Sequence, residues 1–382
     1  MAGALNDPTA LLEADPSPPA SLEFHRVRVP LRRPHRSAHG EERSRASVLV
    51  RWTHADGSVG WGECPALAGT GYVTEPIDRA WDALCGTIGP ATLRGELVPA
   101  DVVRTHPASV GAVADARLDA VLRSQGRSLA DLWSAAVSVA GTTVLAMVGE
   151  RPEVVVERAA EAVSLGAAMI KLKAVAGSAA PLVRAVLDAV GSTPVAVDLN
   201  GSSGDPGAGC PPDLEELVRL PLAYLEQPFD PSVADGCWVR LAERGTVPLA
   251  VDESADSPAV IERMVRCGAA AVVSVKPARL GGVVAAHDTA GRARARGARV
   301  FVGGMFELGV GRSSALALAA ADPGDLPTDL GPSDRYVEVD VTEAVVGDRA
   351  GRIVVPRTLG AALPPDPDRL ERFGVEVCRV EP

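Results

Sequence analysis

Lys173, Asp198, Glu226, Asp252 and Lys276 recur at the same place in five successive apolar runs of this 382-residue chain, MIKLK, VAVDLN, LAYLEQP, LAVDES and VVSVKP. By subtraction the gaps are 25, 28, 26 and 24 residues. Three carboxylates brought together repel one another unless a cation joins them, and hard oxygen donors in that number suit Mg²⁺, with Mn²⁺ as its substitute. Asp198, Glu226 and Asp252 are the candidate ligands. Any one of them alone would more readily cap a helix or pair with an arginine. That reading gives no reason for acids on three adjacent runs flanked by lysines.

Lys171 and Lys173, one residue apart, face the same side of a strand. Positive neighbours lower a lysine pKa and so make a neutral amine available as a general base. Lys173, nearer the end of its run, is the candidate base and Lys171 its electrostatic tuner. Lys276, with three runs between, would face the other side of a bound molecule, as acid, as second base or as a cation stabilising negative charge. A lysine beside a metal that binds a carboxylate suits removal of the proton α to that carboxylate. Asn200, two residues past Asp198, would support a ligand or a water, and Glu253, next to Asp252, would point away toward a supporting role. None of the histidines at 25, 35, 39, 54, 106 and 287 ends such a run, which disfavours HxH metallohydrolase chemistry.

A strand of ~5 residues, a helix of ~12 and two short loops need about the spacing seen here. The near-continuously apolar runs alternate with amphipathic stretches, as a parallel sheet covered by helices requires. Seven such strands are expected from about Thr143, with YVEVD or a neighbour as a weaker eighth. Polar residues at the ends of five strands favour a barrel over an open sheet, whose site sits at one crevice. The fold class is therefore α/β, a (β/α)7–8 TIM-type barrel behind an N-terminal α+β domain. Its strands read as SLEFHRVRVPL and two runs around an ADGS turn, followed by a helix starting at a Thr cap in TEPIDRAWDALCGTI. The expected divisions are a mobile Pro- and Ala-rich extension at 1–20, the α+β domain at 21–140, the barrel at 141–356, and a segment at 357–382 that packs back on the first domain.

The formal charge of −11 argues against nucleic acid or an anionic membrane as partner, and leaves a small-molecule carboxylate. No run approaches the ~18 apolar residues of a membrane span. The six cysteines show no CxxC spacing and no signal-peptide pattern opens the chain, so reduced thiols in a cytoplasmic protein are expected.

With these residues in hand, the chain resembles the muconate-lactonising branch of the enolase superfamily, and most closely the group containing o-succinylbenzoate synthases and N-succinylamino acid racemases. The resemblance rests on WGECPAL (61–67), KLK (171–173), VDLN (197–200), LEQPF (225–229), VDES (251–254), VKPARLGG (275–282) and GGMFELGVGR (303–312), and covers roughly residues 22–375. A Lys or His base with Mg²⁺ is the known arrangement of that superfamily. The resemblance implies that Lys173 is the base, that Asp198, Glu226 and Asp252 bind the metal, and that Lys276 is the lysine opposite. It also implies that Gly304, Met305 and Glu307 face the substrate, that RRPHRSAHGEERS (32–44) carries a mobile loop of the capping domain, and that the chain forms a homo-oligomer. The implied reaction is the dehydration giving o-succinylbenzoate, in menaquinone biosynthesis. Its rivals are an N-acylamino acid racemase or dipeptide epimerase on the same site and, in another class, a barrel that binds a ligand without catalysis. The Gly- and Pro-rich stretch at 201–213 and the stretch LPTDLGPSDRYVEVDV depart from the pattern.

Overall fold

The computed structural model describes residues 7–37, 40–67, 75–203, 211–322, 326–348 and 351–381. Strands β1 (Ser21–Ser37), β2 (Gly40–Thr53) and β3 (Val59–Cys64) form an antiparallel sheet in the order β13-β1-β2-β3, where β13 is the chain's last strand, Gly374–Val380. One face of this sheet buries Leu22, Phe24, Val48 and Val50 with Ala112, Ala116 and Ala120 of the helix Pro107–Ser124. Close approach of that helix explains two glycines of β3. A Cβ at Gly60 or Gly62 would fall 2.1 Å from Ala116 O or 2.0 Å from Ala112 O, so only glycine fits. The other face packs Val27, Val29, Leu49 and Trp61 against Leu308, Val310, Val337 and Phe373. The sheet thereby sits on the barrel.

Between β3 and the barrel's first strand lies β4 (Ser138–Ala140), which pairs with β12 (Arg352–Val354). Strands β5 (Thr142–Ala146), β6 (Met169–Lys173), β7 (Val195–Asp198), β8 (Tyr224–Glu226), β9 (Leu249–Val251), β10 (Val272–Val275) and β11 (Arg299–Val302) then form one parallel sheet in sequence order. Alternation along each strand sorts the side chains. Ile170, Leu172, Val197, Leu225, Val251 and Val273 join the large core shared with the helices, while Met169, Ala196, Tyr224, Ala250, Val272 and Phe301 form a separate layer inside the sheet. Two residues further along from that layer come Lys171, Asp198, Glu226, Asp252 and Ser274, and four further come Lys173 and Lys276. The period of two that fills the barrel interior also aims these groups into its mouth.

The eighth position is filled by a short segment, not by YVEVD. Thr328 N donates to Ala140 O (3.0 Å) and Thr142 N to Thr328 O (2.8 Å), while Asp329 N and Thr328 Oγ1 donate to Val302 O (3.1 and 2.6 Å). Pro327–Asp329 thus spans β5 and β11. YVEVD turns to the capping sheet, where Val337 bridges Leu31. Two further expectations are corrected. The first helix of the capping domain is Ile77–Ala83 with Pro76 at its cap, and the expected Thr74 cap lies outside the described residues. Residues 8–14 are not a loose extension: they form a helix whose Leu11 is buried, and Arg117 donates to Leu12 O and Asp15 O. Proline at the first helical position and the Asp7 side chain on Thr9 N start it.

Candidate active site

The strand ends converge as a belt of alternating charge. Lys171 Nζ lies 2.8 Å from Glu226 Oε2 and also contacts Asp329; Lys173 Nζ lies 3.1 Å from Asp198 Oδ2; Lys276 Nζ lies 2.7 Å from Asp252 Oδ2. Strand register makes this geometry, since Lys173 is opposite Asp198 and Asp198 opposite Glu226 across neighbouring strands. The two outer lysines differ in access: the Lys173 side chain is 38% exposed, that of Lys276 only 7%. Gly303 leaves room for Lys276, because a Cβ there would stand 2.8 Å from its Cε.

Asn200, held at a positive φ of 45°, donates from Nδ2 to Glu253 Oε1 (3.0 Å) and accepts from Lys173 Nζ (3.2 Å). Glu253 was expected to point away, but β9 ends at Val251 and the chain turns there. The strand alternation lapses and Glu253 joins the rim through Asn200. Sequence reading also missed Arg279, whose Nη1 lies 2.7 Å from Asp252 Oδ1, and Gln227, whose Oε1 accepts from Asp252 N (3.0 Å) and Ser254 N (3.1 Å). Both stand inside quoted motifs, in VKPARLGG and LEQPF, and that position was the available signal. Asp329 carried none.

Glu307 and Met305, expected at the substrate, stand in the turn after β11. Both are buried, and the two Glu307 oxygens accept from Met305 N, each at 2.9 Å. The turn is fastened from the capping domain. Arg45 donates to Phe306 O (3.0 Å) and Met305 O (3.2 Å), and Glu63 accepts from Leu308 N (2.8 Å) and Gly311 N (2.9 Å). Gly304 packs under Glu307 and Leu330. Of the expected mobile loop, residues 38 and 39 lie outside the described residues, and its flanks extend β1 and β2 as a hairpin.

Five carboxyl groups (Asp198, Glu226, Asp252, Glu253 and Asp329) meet four cations (Lys171, Lys173, Lys276 and Arg279). Burial and the nearby Asp198 push the Glu226 carboxyl well above the usual carboxylate range. Burial acts the same way on Asp252, but Arg279 and Lys276 outweigh it and hold that group far below the range. Burial pulls the Lys173 ammonium down, yet Asp198 and Glu226 together outweigh burial and Lys171, so the pKa rises. The expected depression by Lys171 therefore loses to the carboxylates. Among the described residues no three donors already form a metal nest, each acid being turned to a cation. The donor set nevertheless fits a divalent ion: three buried oxygen donors end adjacent strands, one is disfavoured as an anion, and Glu253 Oε2 is buried without a hydrogen-bond partner.

Residues 154–369 match the family model described as Enolase C-terminal domain-like. The chain belongs to the enolase superfamily. Within that superfamily it is 32% identical to an N-succinylamino acid racemase of Amycolatopsis sp, over 92% of this chain and 96% of the relative. It is 27% identical to an o-succinylbenzoate synthase of Geobacillus kaustophilus, over 91% and 93%. Among solved structures, a probable mandelate racemase from Alicyclobacillus acidocaldarius superposes with a TM-score of 0.83 at 32% identity, covering 94% of this chain and 98% of that one. A muconate lactonizing enzyme from Pseudomonas putida shares the fold, with a TM-score of 0.81 at 21% identity over 94% and 100%. This superfamily member is thus an enzyme with a capping domain on a TIM-type barrel.

Proposed function

We propose that the protein removes the proton α to the carboxylate of a succinyl-bearing acid, and that its reaction is the dehydration giving o-succinylbenzoate. The observation that carries this is the asymmetry of the two lysines around the three acids. Lys173 is half exposed at the rim and reaches substrate as the base, while Lys276 is buried and ion-paired as a fixed cation at the far side. In the dehydration, Lys173 takes the α-proton, hydroxide leaves the adjacent carbon, and the ring becomes aromatic. Lys276 acts electrostatically on the negative charge that builds up. A divalent cation held by Asp198, Glu226 and Asp252 would offset their charge, bring the Lys173 amine toward the range of a base, and stabilise the substrate carboxylate. Asn200 accepts from the Lys173 ammonium and is itself held by Glu253.

Racemisation of an N-succinyl amino acid is the second reading, favoured by the likeness to the Amycolatopsis racemase and by Arg279, which pairs with the other oxygen of Asp252 and so keeps that acid partnered when Lys276 moves a proton. It shares the succinyl group and the first proton transfer. The reading also keeps a cytoplasmic, Mg²⁺-dependent homo-oligomer and the domain limits given above. The test is ultraviolet-monitored dehydration of 2-succinyl-6-hydroxy-2,4-cyclohexadiene-1-carboxylate, with Mg²⁺ and with EDTA, beside polarimetry on N-succinyl amino acids. Fast metal-dependent dehydration with slow racemisation supports the synthase. Brisk racemisation alone moves the protein to the second reading, and no α-hydrogen exchange in D2O with either acid overturns both.

A further inference from the structure

Asp329 lies on the segment that closes the barrel, outside every motif that marked the site. Its place is fixed by backbone: its own N–H donates to Val302 O of β11, and Thr328 is bonded to Ala140 and Thr142 on the other side. From there its carboxylate contacts Lys171 Nζ, which also donates to Glu226 Oε2 over 2.8 Å and stands 5.3 Å above the Phe301 ring centroid. Lys171 is 2% exposed. A buried ammonium must be paired, and the ion pairs available to this one are Glu226 and Asp329. Glu226 is one of the three proposed metal ligands, and an oxygen committed to an ammonium is withheld from a metal.

We propose that Asp329 is a positioning residue that carries the charge of Lys171, leaving Glu226 to the divalent cation and holding the ammonium in place below Lys173. The inference rests on the proton-abstraction reading, which requires the cation. It explains why an acid closes the barrel at this point. Lys171 and Lys173 project from one face of β6, so Lys171 must stay buried next to the base, and without a dedicated counter-ion it would draw on a ligand.

Asp329→Asn keeps the shape and removes the charge, which leaves Glu226 as the one ion-pair partner of Lys171 among the described residues. Mn²⁺ affinity, followed by the electron paramagnetic resonance of free Mn²⁺ and without substrate, should weaken by about 10–100-fold, as losses of ligand-orienting partners do. The kcat should fall more than KM rises, and Asp329→Glu should recover most of both. In a Lys171→Met background the same Asp329→Asn change should cost no further Mn²⁺ affinity, because a residue acting through Lys171 has nothing left to act on. An equal loss in both backgrounds, or a folded Asp329→Asn protein with wild-type Mn²⁺ affinity, would overturn the proposal. If Asp329→Asn alone does not fold, the Lys171→Met/Asp329→Asn protein decides: folding restored supports the pairing, and folding still lost while Lys171→Met folds refutes it. Wild-type protein that bound no Mn²⁺ and exchanged no α-proton would remove the earlier reading and this one together. Wild-type binding left unchanged by Asp329→Asn removes this one alone.

Discussion

Lys276 donates to Asp252 over 2.7 Å with both side chains buried, and Arg279 reaches the second oxygen of the same carboxylate at an equal 2.7 Å. One acid therefore anchors two cations at the edge of the barrel mouth, across from the half-exposed Lys173. Lys276→Ala should lower dehydration by about 10²–10³-fold, the usual cost of one charge-stabilising donor. It should abolish α-hydrogen exchange for the enantiomer of an N-succinyl amino acid whose proton faces Lys276, and weaken it less for the one whose proton faces Lys173. Proton NMR in D2O on each enantiomer checks this, and equal loss for both would show that the two lysines do not serve opposite faces.

Lys173→Ala removes the base and the ion pair to Asp198 but leaves all three acid ligands in the chain. Turnover should drop at least about 10²–10⁴-fold, the contribution of a positioned general base. Mn²⁺ titration should show binding of similar strength to the wild type. Retained activity would mean that the base is assigned to the wrong lysine.

Dialysis against EDTA should abolish α-hydrogen exchange, and added Mg²⁺ should restore it. Asp198→Asn should not be restored at Mg²⁺ levels that saturate the wild type. Exchange that survives the chelator would separate the lysine chemistry from any metal.

Gly303→Ala places a methyl carbon 2.8 Å from both Lys276 Cε and Ser274 Oγ. The lysine is the mobile partner, so it should move while the strand stays. The expected outcome is a tenfold or greater loss of kcat, on the order of ~1.4 kcal/mol, with little change in melting temperature. A collapse in stability with normal specific activity in the folded fraction would contradict this.

Glu63 joins the two domains and is buried, and burial, helped by Glu307, pushes its carboxyl up to about 7 from 4.5. The folded protein then holds this proton over a range where the unfolded chain has lost it. Its contribution to stability is full below pH 4.5, shrinks as pH rises and is gone above about pH 7. The span corresponds to about 3 kcal/mol at most. Glu63→Gln should flatten this part of the stability profile, so that the wild-type urea midpoint falls relative to the variant's from pH 5 to pH 8. Parallel profiles would mean that Glu63 titrates normally.

The barrel residues were legible because strand alternation has a fixed period. Once Met169 or Ala250 is placed inside, Lys171, Lys173 and Asp252 follow by counting in twos, and regular β/α spacing brings the strand ends side by side. Counting fails where a strand stops, which is why Glu253 reads from the sequence as pointing away while the turn after β9 brings it to Asn200. The sequence by itself determined the fold class, the five charged strand ends and the type of chemistry, all of which depend on local periodicity. Only the tertiary structure decided which charges pair. Asp329 meets Lys171 across 158 residues, and Arg45 and Glu63 reach the turn after β11 across 261 and 245. Such contacts are made when the barrel closes and the capping sheet docks, and no short-range pattern in the chain encodes them.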